Sequence, residues 1–283
     1  LRCLVGSEMC IRDRFESVEK GKVRGRYTII GFNPDKIINI KNNKIIEDNF
    51  NRKKLIKQNI LNYLNKLLKN FKVKSPKELP RMSSMLVGYF SYDIIRLIEK
   101  IPNSCSDDIN IPDIRLMRPK NLIIYDNFKS KIFFIENIFE DQKIEDYQTE
   151  YNKIGNNLNE LSHYGNIPLP TNFYRPSKKI NIKSNITKSR FKKIVRKAKT
   201  YISKGDIFQV VLSQRFKANI NKPPLEIYNS LRKLNPSPFM FYFNYDDFQI
   251  LGSSPEILVR LVDGEVTIRP VSYTHLRAHE TSE

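Results

Sequence analysis

Two positions near the end of the chain carry polar groups that could act on a small substrate. Glu256 follows Ser-Ser-Pro, and a positioned carboxyl group can serve as a general acid. The residue alone favours a simpler interpretation, a carboxylate in the first turn of a helix after Pro255. Gln209 lies in GDIFQVVLSQRF and offers a neutral amide, but it also fits a polar strand position facing solvent.

A third group of residues suits the binding of an aromatic ligand. In NPSPFMFYF, Pro238, Phe239 and Met240 precede an aromatic run, and an aromatic ring and a thioether both pack well against other aromatic rings. Ser17, far away in FESVEK, has a hydroxyl that can bond a polar group. Taken alone, NPSPFMFYF is typical of a turn that enters a buried strand.

Other catalytic chemistries find no support in the sequence. His163 is the sole histidine between residues 15 and 270, so no Ser/His/Asp or Cys/His system is plausible. Cys3, Cys10 and Cys105 have neither metal-ligand nor redox spacing, and their odd number argues against a disulfide framework.

The elements that must position these residues are mostly short strands joined by turns. We predict five hairpins, in which two β-rich runs flank a turn. Asn33-Pro34 is expected to end the second strand of the first hairpin, and Asn42-Asn43, Asp246-Asp247 and Asp263-Gly264 are expected as turns. The hairpins are predicted at residues 15–34, 37–48, 121–139, 239–252 and 257–270.

Apolar residues at helical spacing predict several helices and one further strand. The helix at 187–204 is expected to begin at Thr187 or Ser189 and to end at Gly205. Pro223 or Pro224 is expected in the first turn of the helix over 226–234. The other predictions are a helix over 52–70, a strand leading into a helix at 85–101, a helix at about 141–161 and a strand at 207–216.

The mixture of hairpins and helices predicts an α+β fold with antiparallel sheets and packed helices. Residues 164–186 hold three prolines without clear periodicity, so we expect them to link two domains. We place one domain at 15–163 and the first part of a second domain at 187–270. No apolar run approaches the ~18–20 residues of a membrane helix, so we expect a soluble, cytoplasmic protein.

In this order, ESVEKGKVRGRYTIIGFNP, GDIFQVVLSQRF, NPSPFMFYF and GSSPEILVR resemble component I of anthranilate synthase. The resemblance covers about residues 15–270 and implies that family's fold. It further implies that residues 15–163 form the N-terminal regulatory domain and residues 187–270 the first part of an incomplete chorismate-binding domain. It implies a parent enzyme that converts chorismate and ammonia to anthranilate and pyruvate, the first committed step of tryptophan biosynthesis. The ammonia would come from glutamine through a glutamine amidotransferase partner, component II of anthranilate synthase.

The resemblance also implies roles for individual residues. Glu256 would be the general acid that protonates the leaving C4 hydroxyl of chorismate. A neutral amide at Gln209 fits attack by ammonia, because relatives that add water have a lysine base there. Ser17, Pro238, Phe239 and Met240 would line a pocket for L-tryptophan, the feedback inhibitor, with Phe239 in place of the family's commoner tyrosine.

The two ends differ from the body in composition. Residues 1–14 and 271–283 contain no Lys and no Asn, and both resemble translated sequencing-adapter sequence, so we expect them to be foreign. The resemblance then implies that the second domain is truncated after Pro270, before the substrate loop and the two glutamates that coordinate Mg²⁺ in the family. We therefore expect the chain itself to be inactive and to lack the magnesium ligands.

Two alternatives remain open. Component I of aminodeoxychorismate synthase in the folate pathway shares the fold and chorismate, but its active-site loop carries a lysine just beyond the position of Pro270. The formal charge of +19 raises the second, a basic nucleic-acid-binding module. We expect neither nucleic acid nor a membrane as partner, because the lysines are scattered beside many Asn and Ile, as a low-GC genome produces.

Overall fold

The computed structural model describes residues 13–16, 26–49, 52–71, 73, 75–139, 148–149, 151–152, 155–156 and 180–268. The chain divides into two compact units, which are described separately. One comprises Pro170–Pro223, and the other comprises Leu1–Leu169 with Pro224–Glu283.

In the larger unit, nine strands of the described residues form one sheet in which every pairing is antiparallel. The predicted α+β class with antiparallel sheets and packed helices is confirmed. Along one path the strand order is β11-β10-β1-β2-β3-β4, and β6 pairs with β2, β5 and β7. The strands are β1 (Asp13–Glu16), β2 (Tyr27–Lys41), β3 (Lys44–Asn49), β4 (Arg52–Ile56), β5 (Val87–Phe90), β6 (Ile114–Asp126), β7 (Lys131–Glu136), β10 (Phe239–Asn244) and β11 (Gln249–Ser254).

The two longest strands, β2 and β6, form the centre of this sheet. They pair from Tyr27 opposite Asp126 to Ile40 opposite Ile114, and most of their residues are buried. Helix α1 (Ile60–Asn70) packs Ile60 and Tyr63 onto one part of this core, while Leu64 and Leu67 pack against it more peripherally. The core therefore rests on the long central strands, as expected for alternating apolar runs.

The first prediction that the structure contradicts concerns Asn33-Pro34, which does not end β2. The strand continues to Lys41, and its register against β6 shifts between Pro34 and Lys36. Asn33 has φ 50°, a left-handed conformation that asparagine tolerates. The irregularity accommodates the proline, which has no N–H to donate to a ladder.

The predicted helix over 52–70 is only partly correct. Residues 52–56 form β4, which pairs with β3. The helix begins at Ile60, because the Asn59 side chain caps it by accepting a hydrogen bond from the Asn62 N–H at 3.2 Å. Similarly, the helix expected after β5 is a short 3₁₀ helix, Tyr92–Leu97, with no buried residue.

Several turn and cap predictions are confirmed. Asn42-Asn43 lies between β2 and β3, Asp246 has φ 65° between β10 and β11, and Asp263 and Gly264 both have positive φ. The last pair joins β12 (Arg260–Val262) to β13 (Glu265–Thr267). Helix α3 (Pro224–Leu234) begins at Pro224 as predicted.

The described part of the smaller unit contains one helix and one pair of short antiparallel strands. Helix α2 (Lys188–Ser203) begins after Thr187, whose hydroxyl accepts from the Arg190 N–H at 3.3 Å, and Gly205 follows its end with φ 78°. Strands β8 (Ile182–Ser184) and β9 (Phe216–Ala218) pair with each other. The strand expected at 207–216 is wrong over most of its length: a β-rich run becomes a strand only where a partner strand is present, and β8 pairs only with 216–218.

Two other predictions concern segments that lie mostly outside the described residues. Most of the predicted helix at 141–161 lies outside them, although 148–149, 151–152 and 155–156 are helical. Most of the predicted linker at 164–186 also lies outside them. The domain assignment stays a prediction, but Pro224–Glu283 belongs to the compact unit that contains the N-terminal strands.

Candidate functional site

The β10–β11 hairpin carries most of the predicted site. Its two strands pair from Asn244 opposite Gln249 to Phe239 opposite Ser254. At the open end, Pro238 leads into β10, and Pro255 and Glu256 follow β11. The NPSPFM segment and the GSSPE segment therefore lie on neighbouring strands, at the same end of one hairpin.

The three predicted ligand-binding residues of this hairpin differ in exposure. Met240 is only 1% exposed, and it packs with Tyr228 of α3 and Tyr242. Phe239 is 41% exposed, and Pro238 is half-buried. Met240 thus shapes the base of the region from the core, while Phe239 presents much of its ring to the surface.

Strand β1 brings the N-terminal segment to this hairpin. It pairs with β10 on one side and with β2 on the other, and its last residue, Glu16, lies opposite Met240. Ser17, the next residue and the fourth predicted pocket residue, lies outside the described residues. Glu16, the residue before Ser17, nevertheless pairs with Met240 of the NPSPFM segment, although the two are more than 200 positions apart in the sequence.

Glu256 lies in an exposed, irregular segment just after β11, and no helix begins there. The interpretation of Glu256 as a first-turn helical carboxylate is therefore wrong. The Ser254 hydroxyl accepts from the Glu256 N–H at 3.4 Å and donates to the Glu256 carbonyl at 3.1 Å. This local turn determines how Glu256 leaves the sheet, because it directs the backbone on both sides of the side chain.

Gln209 is exposed and belongs to the smaller unit, in the irregular stretch before β9. The expected strand position for Gln209 is therefore wrong. Glu256 belongs to the larger unit, so the two predicted catalytic residues are described in separate units.

The turn of the hairpin is held by an arginine that the sequence did not single out. The Arg115 guanidinium lies 4.8 Å from the ring centre of Tyr245 and 5.3 Å from that of Phe248, and it bonds Asp247 at 2.7 Å. Tyr89 packs against both rings. Burial raises the pKa of the Tyr89 phenol to about 12, while the charge of Arg115 opposes that rise. A basic residue on a β-rich run gave no signal of this contact.

Two serines were also missed. The Ser253 hydroxyl donates to the Asn235 carbonyl at 2.7 Å, where Asn235 is the first residue of NPSPFM. Its neighbour Ser254 forms the bonds to Glu256 described above. Their presence inside the GSSPE motif was the available signal, but only the strand pairing shows what each serine contacts.

The positive charge is less evenly distributed than the sequence interpretation held. Pro170–Pro223 contains 15 of the 49 Lys and Arg residues and only one of the 30 Asp and Glu residues, Asp206. Helix α2 alone has seven basic residues and no acidic one. The expectation of scattered lysines is therefore wrong for this unit.

No group of three His, Cys, Asp or Glu side chains that could hold a metal occurs within the described ranges. Nor does any helix in the described part of the chain have the length and apolar character needed to span a membrane.

The fold and the hairpin motifs define an enzyme of the chorismate-binding class. The model of the family described as chorismate binding enzyme matches residues 15–283, so the chain belongs to this family. The match begins immediately after the N-terminal stretch that we predicted to be foreign and includes residues 271–283.

Within the family, the chain is similar to proteins named anthranilate synthase component 1. It is 37% identical to those of Cereibacter sphaeroides and Acetivibrio thermocellus, covering 95% of this chain and 55% of each relative. The crystal structure of anthranilate synthase component I from Streptococcus pneumoniae superimposes with a TM-score of 0.74 at 28% identity, covering 94% of this chain and 59% of that one. The chain thus spans about half the length of the curated relatives it matches.

Proposed function

We propose that the complete protein is an anthranilate synthase component I that forms anthranilate and pyruvate from chorismate and ammonia. The observation that carries the proposal is the pairing of Phe239 with Ser254, which places the NPSPFM and GSSPE segments at one end of one hairpin. The relatives named anthranilate synthase component 1 support this choice.

In the proposed reaction, ammonia adds at ring carbon C2 of chorismate while the C4 hydroxyl leaves. Hydroxide is a poor leaving group, so the carboxyl group of Glu256 donates a proton to the C4 oxygen and water departs. Loss of the enolpyruvyl side chain as pyruvate then gives the aromatic ring of anthranilate. The exposed position of Glu256 beyond the last strand residue leaves its carboxyl group accessible to substrate.

Gln209 has a different role in this proposal. Ammonia is already a competent nucleophile, so the position needs no base, and a neutral amide avoids activating water. A glutamine amidotransferase subunit supplies the ammonia. We also propose that the complete protein is cytoplasmic and uses Mg²⁺, whose two glutamate ligands the family resemblance places beyond Pro270.

Replacement of Glu256 tests the acid role directly in the complete enzyme. Glu256→Gln keeps the shape of the side chain but cannot donate a carboxyl proton, so kcat should fall by about 10²- to 10⁴-fold. Glu265→Gln, the same change at an exposed position in the neighbouring β12–β13 hairpin, serves as the matched control. Anthranilate fluorescence measures both. Unchanged turnover in Glu256→Gln contradicts the assignment.

We further propose that L-tryptophan binds beside Ser17, Pro238 and Phe239, with Met240 below, and inhibits the enzyme. The chain contains no tryptophan residue, so indole emission reports the added ligand alone. A shift of that emission when the chain is added supports the proposal, provided that excess L-histidine does not reverse the shift. No shift at saturating protein contradicts it.

The product distinguishes the alternatives. An aminodeoxychorismate synthase would release a non-aromatic amino product that still carries the enolpyruvyl group, which mass spectrometry separates from anthranilate. The concentrated charge of Pro170–Pro223 is the one observation that favours a nucleic-acid-binding module. A salt-dependent gel shift without tryptophan binding would favour that module over the enzyme.

A further inference from the structure

Two consecutive serines at the end of β11 contact the two functional segments separately. Ser253 donates its hydroxyl hydrogen to the Asn235 carbonyl at 2.7 Å. Ser254 bonds both backbone groups of Glu256, at 3.4 and 3.1 Å. Successive side chains of a strand point to opposite faces, so neither serine can take over the contacts of the other.

The Asn235 carbonyl lies where helix α3 passes into the NPSPFM segment. The Asn235 N–H still donates to the Leu231 carbonyl at 2.8 Å, as in a last helical turn. A carbonyl at this position has no partner within the helix and needs one outside it. Ser253 supplies that partner, so the position of β11 depends on how the chain leaves α3.

The pairing of β10 with β11 does not by itself fix the position of the turn at residues 235–238. Backbone bonds of β10 and β11 extend only as far as Phe239 opposite Ser254, and residues 235–238 precede that ladder. Within the described residues, the Ser253–Asn235 hydrogen bond joins the start of the NPSPFM segment to β11. A ligand that displaces the NPSPFM turn can therefore act on β11 through this bond.

We propose that Ser253 couples tryptophan occupancy to Glu256, and that Ser254 is the positioning residue that receives the displacement. This regulation rests on the function proposed above. A ligand seated on Pro238 and Phe239 favours one path of residues 235–238, Ser253 follows the Asn235 carbonyl, and the adjoining Ser254 turn moves the Glu256 carboxyl group. A ligand shifts such an equilibrium only by its difference in affinity between the two arrangements.

The coupling is measured as the factor by which saturating tryptophan weakens chorismate binding in the complete enzyme. For binding, chorismate must weaken tryptophan by the same factor, which gives an internal check. Ser253→Ala removes one hydrogen bond, a change of about fivefold in an equilibrium. We expect this factor to fall by about fivefold, with tryptophan affinity of the free enzyme and uninhibited kcat each within about threefold of wild type.

Three further variants separate coupling from a merely structural role. Ser253→Thr keeps the hydroxyl and should restore the factor. Ser230→Ala removes a serine-to-carbonyl bond of the same kind within α3, from Ser230 to Glu226, and should leave the factor unchanged. Ser253→Cys keeps the shape with a weaker S–H donor, and it gives the answer if Ser253→Ala fails to fold.

The following outcomes would overturn the coupling through Ser253 or the proposed reaction. An unchanged factor in Ser253→Ala or Ser253→Cys overturns the coupling, and so does loss of tryptophan binding itself, because Ser253 would then belong to the pocket. A wild-type enzyme that forms anthranilate and binds tryptophan without inhibition overturns the coupling but leaves the proposed reaction intact. A wild-type enzyme that forms no anthranilate overturns the proposed reaction first.

Discussion

Gly252 is the position where the smallest change should have the clearest structural effect. It lies on β11 opposite Phe241, immediately before the two serines. A β-carbon at residue 252 would lie 2.3, 2.7 and 3.0 Å from three ring carbons of Phe241. Gly252 is not among the residues with positive φ, so alanine suits its backbone and the ring alone opposes it.

The expected cost follows from these distances. Carbon atoms in contact prefer separations of about 3.5–4.0 Å, so the Phe241 ring must move by about 1 Å or more. Forcing extra atoms into a packed region costs about 1–3 kcal/mol, while Gly-to-Ala replacement recovers about 0.4–1 kcal/mol by restricting the unfolded chain. We therefore expect Gly252→Ala to lower the free energy of unfolding by about 1–2 kcal/mol.

Urea unfolding followed by circular dichroism measures this effect, and a second variant tests its cause. Phe241→Val removes the ring carbons that clash but keeps a residue that favours strands. In that background, Gly252→Ala should change sign and stabilise the protein by about 0.4–1 kcal/mol. Equal destabilisation in both backgrounds would show that the Phe241 ring is not the cause, and our reasoning would be wrong.

Two further predictions concern the sheet that supports the hairpin. Gly88 has φ 157°, and a β-carbon there would lie 1.9 Å from the Arg115 carbonyl oxygen, so Gly88→Ala should destabilise the protein by about 3 kcal/mol or more. Gly155→Ala, with no atom within 4 Å, should have little effect, and similar urea midpoints for both variants would contradict the argument. Hydrogen bonds from Arg26 lower the pKa of Asp126 to about 2, so this pair stabilises the fold above pH 4 and the contribution disappears as pH falls from about 4 to 2. Arg26→Ala should remove that part of the acid dependence of unfolding, and an unaltered pH profile would count against the pair.

The sequence was most informative where a turn needs a particular residue. Asn42-Asn43 and Asp263-Gly264 adopt positive φ, which few residue types accept, so their hairpins were predictable from local chemistry. Prediction failed where the secondary structure depends on a partner strand. The β-rich run at 207–216 has no partner strand over most of its length among the described residues, and Leu55 and Ile56 fit a helix by spacing but pair with β3 instead.

The candidate site was predictable in its residues but not in its arrangement. The motifs around Phe239 and Glu256 could be found from their letters, because each is a short contiguous string. Their pairing depends on the register of β10 against β11, and β1 joins them only through a contact across more than 200 residues. No local pattern encodes such a contact, since loop length hardly limits which strands can meet.

The register also gives Ser253 and Ser254 their separate contacts. Because side chains alternate along a strand, a shift of one residue between β10 and β11 would exchange the faces of the two serines. Ser254 would then face the side from which Ser253 now reaches Asn235, and the turn at Glu256 would lose its hydroxyl partner. The turn at Asp246 opposes that shift by its left-handed conformation, and Arg115 opposes it by bonding Asp247. The contacts at the closed end of the hairpin therefore preserve, through the register, the serine arrangement at its open end.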